Sequence, residues 1–136
     1  MSKKRNVLVV DDDKVAHLLS EKVLMSFSWL NKIYKAFNGK EGLQVLNDYC
    51  QGLISPPDLI LLDLHMPVMD GFQFIQEFKQ MKCLESQGIV TVVLSSTINP
   101  KEIERVKELG IRYHITKPIS YDLMLSVILQ ESYSVL

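Results

Sequence analysis

The chain has 136 residues, 47% of them apolar and 23% charged, with 15 Lys and Arg against 16 Asp and Glu for a net charge of −1. That length suits one domain with a core large enough to need no disulfide or metal staple, and the composition excludes a disordered chain. The near-neutral balance argues against electrostatic capture of nucleic acid or of an anionic membrane surface.

The amino terminus, Met1-Ser2-Lys3-Lys4-Arg5-Asn6, leads into the apolar run Val7-Leu8-Val9-Val10. It lacks the long apolar stretch and small-residue cleavage site of a secretory signal. No run approaches the roughly 20 apolar residues of a membrane helix, so a cytoplasmic location is expected. Cys50 and Cys83 are far apart and match neither a metal spacing nor a redox pair, which predicts two free thiols.

Short apolar runs alternate with amphipathic segments. Residues 6–10 are apolar enough for a strand buried on both faces, and they end at Asp11-Asp12-Asp13. Val15, Leu18, Leu19 and Val23 fall at helical spacing and predict an apolar helix face. Residues 31–36 read as a weaker strand, Asn38-Gly39 as a turn, and Leu43, Leu46 and Cys50 as a second helix. Ser55-Pro56-Pro57 ends that region, and Leu59-Ile60-Leu61-Leu62 is a second buried strand that stops at Asp63.

His65-Met66-Pro67-Val68-Met69 is a loop, and Asp70 is placed to cap a helix carrying Phe74, Ile75, Phe78 and Met81. Residues 89–94 form a third buried strand, closed by Ser95-Ser96-Thr97. Asn99-Pro100 opens a helix with Ile103, Val106 and Leu109, and Gly110 closes it. Residues 112–116 form a short strand before Lys117-Pro118, and Ser120 caps a last helix with Leu123, Met124, Val127 and Ile128.

Strict βα alternation predicts an open, doubly wound parallel sheet with helices on both faces, and a ligand site beyond the carboxyl ends of the strands. Asp11, Asp12 and Asp13, Asp63, Ser95 and Lys117 all fall at such ends. No glycine-rich loop follows the first strand, so this is neither a dinucleotide fingerprint nor a P-loop.

Clustered carboxylates repel unless a proton or a cation relieves them, and carboxylate oxygens suit Mg2+. Asp12 and Asp63 are the expected ligands, with Asp11 in or just outside the coordination shell and the backbone carbonyl of His65 completing the set. Mn2+ is the alternative ion. A carboxylate at such a site can attack a phosphoryl group, and Ser95 and Lys117 offer the hydroxyl and cation that its oxygens need. Each residue alone has an ordinary structural role. Asp58 and Asp70 read as loop and cap residues, and Asp13 as the cap of the first helix.

Val9-Val10-Asp11-Asp12, the stretch from Asp58 through Asp63 to Asp70-Gly71, Val93-Leu94-Ser95-Ser96 and Thr116-Lys117-Pro118 together resemble the receiver domain of two-component response regulators. The resemblance spans about residues 5–130. It implies a flavodoxin-like five-stranded sheet of order 2-1-3-4-5, with Asp63 as phosphoacceptor and Asp11 and Asp12 as the acidic pair for Mg2+. Ser95 would be the switch hydroxyl, Lys117 the phosphoryl contact, and Pro118 would follow a peptide that is often cis in the family. Where the family often carries a switch aromatic, this chain has His114 beside Tyr113. His65 and Thr97 occupy the positions that tune the lifetime of the phosphorylated state.

The implied partners are a sensor histidine kinase or histidine phosphotransfer protein as donor and a downstream protein as target. A homodimer through the face of the fourth helix, fifth strand and fifth helix is compatible with this reading. Ile103, Lys107, Arg112, His114 and Tyr121 are its candidate readout residues. The implied protein is a switch rather than an enzyme, and the few residues after 130 are too short for an output domain. A rival resemblance is weaker. The run through Asp11-Asp12-Asp13-Lys14-Val15 is similar to the first motif of haloacid-dehalogenase-type phosphatases, with Asp11 as nucleophile and Asp13 as acid. It leaves Asp63 without a role.

Overall fold

The computed structural model describes residues 3–96 and 99–134. Five parallel strands form one sheet in the order β2-β1-β3-β4-β5. They are β1 (Arg5–Val10), β2 (Leu30–Ala36), β3 (Leu59–Asp63), β4 (Val90–Ser95) and β5 (Tyr113–Thr116). The helices between and after them are α1 (Lys14–Leu24), α2 (Gly39–Cys50), α3 (Gly71–Lys79), α4 (Pro100–Glu108) and α5 (Tyr121–Ser134). A single 3-10 turn, Lys82–Leu84, follows α3. The expected order and class are those observed.

The central strands β1, β3 and β4 are mostly apolar because alternate side chains enter two different cores, whereas the edge strand β2 carries exposed Asn31, Lys32 and Lys35. Val7, Val9, Leu59, Leu61, Val92 and Leu94 join Leu24, Phe27, Trp29, Met124 and Ile128 on the α1/α5 face. Leu8, Val10, Ile60, Leu62 and Val93 join Leu46, Phe74, Ile75 and Val106 on the face covered by α2, α3 and α4. A one-residue slip would exchange the two sets, so register is set by both faces at once. The observed pairing sets Val9 beside Leu61, and Asp63 beside Leu94.

Caps define the helix starts. Asp13, Asn38, Asp70 and Asn99 each accept a backbone N–H of the first turn, and Asp70 forms a reciprocal capping box with Gln73. Asn38-Gly39 is therefore a helix start rather than a free turn. Ser120 Oγ accepts from Leu123 N at 3.2 Å, as expected of a cap.

Two further expectations fail. The helix through Val15, Leu18 and Leu19 forms, but those side chains point outward and are 60%, 63% and 43% exposed. The face against the sheet carries His17, Ser20 and Leu24 instead, with His17 Nε2 placed against the carbonyls of Asp11 and Ala36. The cysteines are not free thiols. Cys50, at the end of α2, and Cys83, in the 3-10 turn, form a disulfide with Cα atoms 5.6 Å apart. The packing of α2 against α3 brings together residues that sequence spacing leaves unrelated. Among the described residues, no helix is long and apolar enough to cross a membrane.

Candidate functional site

The sheet order reverses between β1 and β3, and the acidic residues lie at that point. Asp11, Asp12 and Asp63 offer carboxylate oxygens that all lie within 4.8 Å of one another. Asp11 and Asp63 are buried, whereas Asp12 is exposed. Burial, then the charge of Asp11, pushes the Asp63 carboxyl up to about 6, although Lys117 and the His65 N–H pull the other way. An all-oxygen cluster under this repulsion fits a hard divalent cation.

Both oxygens of Asp11 are held. Oδ1 accepts from the Asp13 N–H at 2.9 Å, and Oδ2 accepts from Lys117 Nζ at 2.7 Å. Lys117 Nζ is also 3.6 Å from Asp63 Oδ2. Burial works against its charge, but the hydrogen bond to Asp11 and the charge of Asp63 outweigh that and raise its pKa. Asp13 stands outside the cluster, its Oδ1 capping α1 by accepting from Val15 N at 2.9 Å. With Asp11 bound to Lys117 and Asp13 used as a cap, the phosphatase roles find no support in the geometry.

The backbone around the site is tightly placed. The Lys117 N–H donates to the Ser95 carbonyl at 2.7 Å, which locks the end of β5 to the end of β4. Ser95 is buried there. The Lys117–Pro118 peptide is cis. The His65 N–H donates to Asp63 Oδ1 at 3.2 Å. Gly71 lets α3 start against that strand end, since a Cβ would meet the Asp63 carbonyl oxygen at 2.8 Å. Val68 takes the strained left-handed conformation, φ 70°.

His114 is half-buried on β5; burial lowers its pKa and outweighs the opposing charge of Glu102. Thr97 lies outside the described residues. Two contributors escaped sequence reasoning. Buried His17 brings Nε2 to 2.8 Å from the Asp11 carbonyl and 3.1 Å from the Ala36 carbonyl, and so ties the ends of β1 and β2 together. Its only signal is its place on the stripe with Ser20 and Leu24. Glu102, in the first turn of α4, reaches His65 in the loop after β3, with no local signal at all.

The model for the response regulator receiver domain matches residues 7–129. This chain belongs to that family. A receiver is the phosphorylation-controlled switch of two-component and phosphorelay signalling. Sporulation initiation phosphotransferase F of Bacillus subtilis is 30% identical over 116 residues, covering 85% of this chain and 84% of the relative. A protein-glutamate methylesterase/protein-glutamine glutaminase of Treponema pallidum is 36% identical over 116 residues, and the match covers 82% of this chain but only 26% of that protein. The solved structure of a two-component response regulator from Legionella pneumophila superposes with a TM-score of 0.77 at 32% identity, covering 94% of this chain and 99% of that one. The similarity to the methylesterase therefore concerns its receiver-like portion. None of these comparisons points to a haloacid-dehalogenase phosphatase.

Proposed function

We propose that Asp63 is the phosphoacceptor of this receiver. The supporting observation is the meeting of buried Asp63 with Asp11, Asp12 and Lys117 at the switch point of the sheet. Asp63 attacks the phosphorus of a donor phosphohistidine, the P–N bond breaks, and the histidine nitrogen leaves with the bonding pair. Lys117 Nζ, already 3.6 Å from Asp63 Oδ2, is in reach to neutralise a phosphoryl oxygen. Ser95 supplies the switch hydroxyl from the neighbouring strand end. Pro118 fixes the chain after Lys117. His65 and Thr97 tune how long the phosphoryl group stays, and His114 takes the place of the switch aromatic.

Asp11, Asp12, Asp63 and the His65 carbonyl would hold Mg2+, or Mn2+ in its place. Such an ion supplies positive charge to the phosphoryl oxygens and relief of carboxylate repulsion.

The donor is a sensor histidine kinase or a histidine phosphotransfer protein, and the output is contact with a downstream protein in the cytoplasm. The receiver catalyses only its own phosphorylation and dephosphorylation. Exposed Val15 and Leu19 adjoin Lys117, Pro118 and Ile119 and offer the donor an apolar seat beside the acceptor. The face of α4, β5 and α5 carries the readout and can serve a homodimer.

Incubation with acetyl phosphate and Mg2+ tests the proposal by intact mass. The expected gain is about 80 Da in the wild type and none in Asp63→Asn; an unchanged gain in the variant refutes it.

A further inference from the structure

His65 is anchored at both ends. Its backbone N–H donates to Asp63 Oδ1 at 3.2 Å, and its ring Nε2 lies 2.7 Å from Glu102 Oε2. Glu102 sits in the first turn of α4, which follows β4, the strand that pairs with β3 and sets Leu94 beside Asp63. The side-chain contact therefore runs from the loop that follows Asp63 to the helix that follows Ser95. It crosses the carboxyl edge of the sheet between two adjacent strand ends. Glu102 is the more covered partner, with 24% of its side chain exposed against 46% for His65. Val106 is the one fully buried residue of α4, and Arg105 stacks over the Phe72 ring beside it.

The geometry points to Glu102 as a positioning residue that acts on the phosphorylation site through His65, strapping the imidazole to α4 so that water reaches a phosphoryl group on Asp63 more slowly. The inference rests on Asp63 being the phosphoacceptor. In the step concerned, a water oxygen bonds to phosphorus and the bond from phosphorus to the Asp63 oxygen breaks. The carboxylate leaves with the electron pair, and the water proton passes to solvent or phosphate. Glu102 takes no part in those bonds. It holds the ring of the residue whose backbone N–H binds Asp63, and so ties that loop to the position of α4. Because the pair lies at the rim, its contribution to folding stability is small. Its effect on phosphoryl lifetime is therefore separable from its effect on folding.

The test loads the full chain with acetyl phosphate and Mg2+, removes the donor, and follows loss of the phosphoryl group by intact mass. Glu102→Ala is expected to speed that loss about three- to tenfold, the equivalent of one hydrogen bond. Uptake should stay within about twofold and the melting temperature within about 2 °C. His65→Ala should speed the loss to the same extent, and the double variant should be no faster than either single one. Glu102 also faces His114, so the same substitution is made in a His114→Ala background, where the acceleration should persist. An unchanged or slower loss in Glu102→Ala overturns the inference. So does full further acceleration when Glu102→Ala is added to His65→Ala, or disappearance of the effect without His114. A wild type that takes up no phosphoryl group refutes the reading of Asp63 itself, and the strap with it.

Discussion

Lys117 Nζ donates to Asp11 Oδ2 at 2.7 Å and lies 3.6 Å from Asp63 Oδ2, so a single ammonium serves two buried carboxylates. Removing it strands Asp11, whose side chain is 2% exposed, as an unpaired buried charge. Lys117→Met should therefore destabilise the domain by about 2–3 kcal/mol, at the lower end for a broken buried pair because the ammonium is partly solvated. Adding Asp11→Asn should restore part of the loss. Urea midpoints measured on the single and double variants check both statements.

Asp63 has the opposite balance. Its carboxyl is raised from 3.8 to about 6, first by burial and then by Asp11. Between those values the native state binds more protons than the unfolded chain, so this group's contribution to stability falls as pH rises from about 4 to 6. Above that window the ionised Asp63 costs of the order of 3 kcal/mol. Without divalent cations, Asp63→Asn should be the more stable protein at pH 8, and its advantage should vanish near pH 4. Thermal melts across that range would show it; an advantage independent of pH would contradict it.

The pairing of Cys50 with Cys83 closes a loop between residues 33 apart in sequence. Loop closure of that size stabilises by about 2–4 kcal/mol. Reductant should lower the denaturation midpoint of the wild type, and Cys50→Ser should be both less stable and insensitive to reductant. Two titratable thiols in the protein purified without reductant would contradict the bridge.

That bridge marks where sequence reading reached its limit. Asp11, Asp12, Asp63 and Lys117 were legible because each lies at or just past a strand end, and parallel strands bring their ends to one edge. The roles of Asp13, Asp70 and Ser120 were legible because capping is local. A contact between α2 and the turn after α3 depends on how two helices pack, which no spacing encodes. The outward face of α1 was misread for a related reason. Val15, Leu18 and Leu19 have the right period for a core stripe, yet His17 and Ser20 occupy the sheet-facing stripe, with His17 Nε2 shared between two strand-end carbonyls. Periodicity finds a helix but does not say which of two stripes is inside. The His65–Glu102 contact joins the loop after β3 to the first turn of α4 and was equally invisible.

Val68 holds φ 70° while 81% exposed, so its side chain gains little from packing and bears the strain of a β-branched residue in the left-handed region. Val68→Gly should stabilise the fold by about 1 kcal/mol, the strain relieved less the added freedom of the unfolded glycine. Chemical denaturation reads the change directly, and a loss of stability would show that the valine is not strained there.

The central claim is that the phosphoryl group resides on Asp63. Borohydride reduces an acyl phosphate of aspartate to homoserine, a residue about 14 Da lighter. Peptide mapping of protein treated with acetyl phosphate, Mg2+ and then borohydride should find that change at position 63 alone. Homoserine at position 11 or 12, or an unmodified position 63 in protein that has gained a phosphoryl group, would contradict the account.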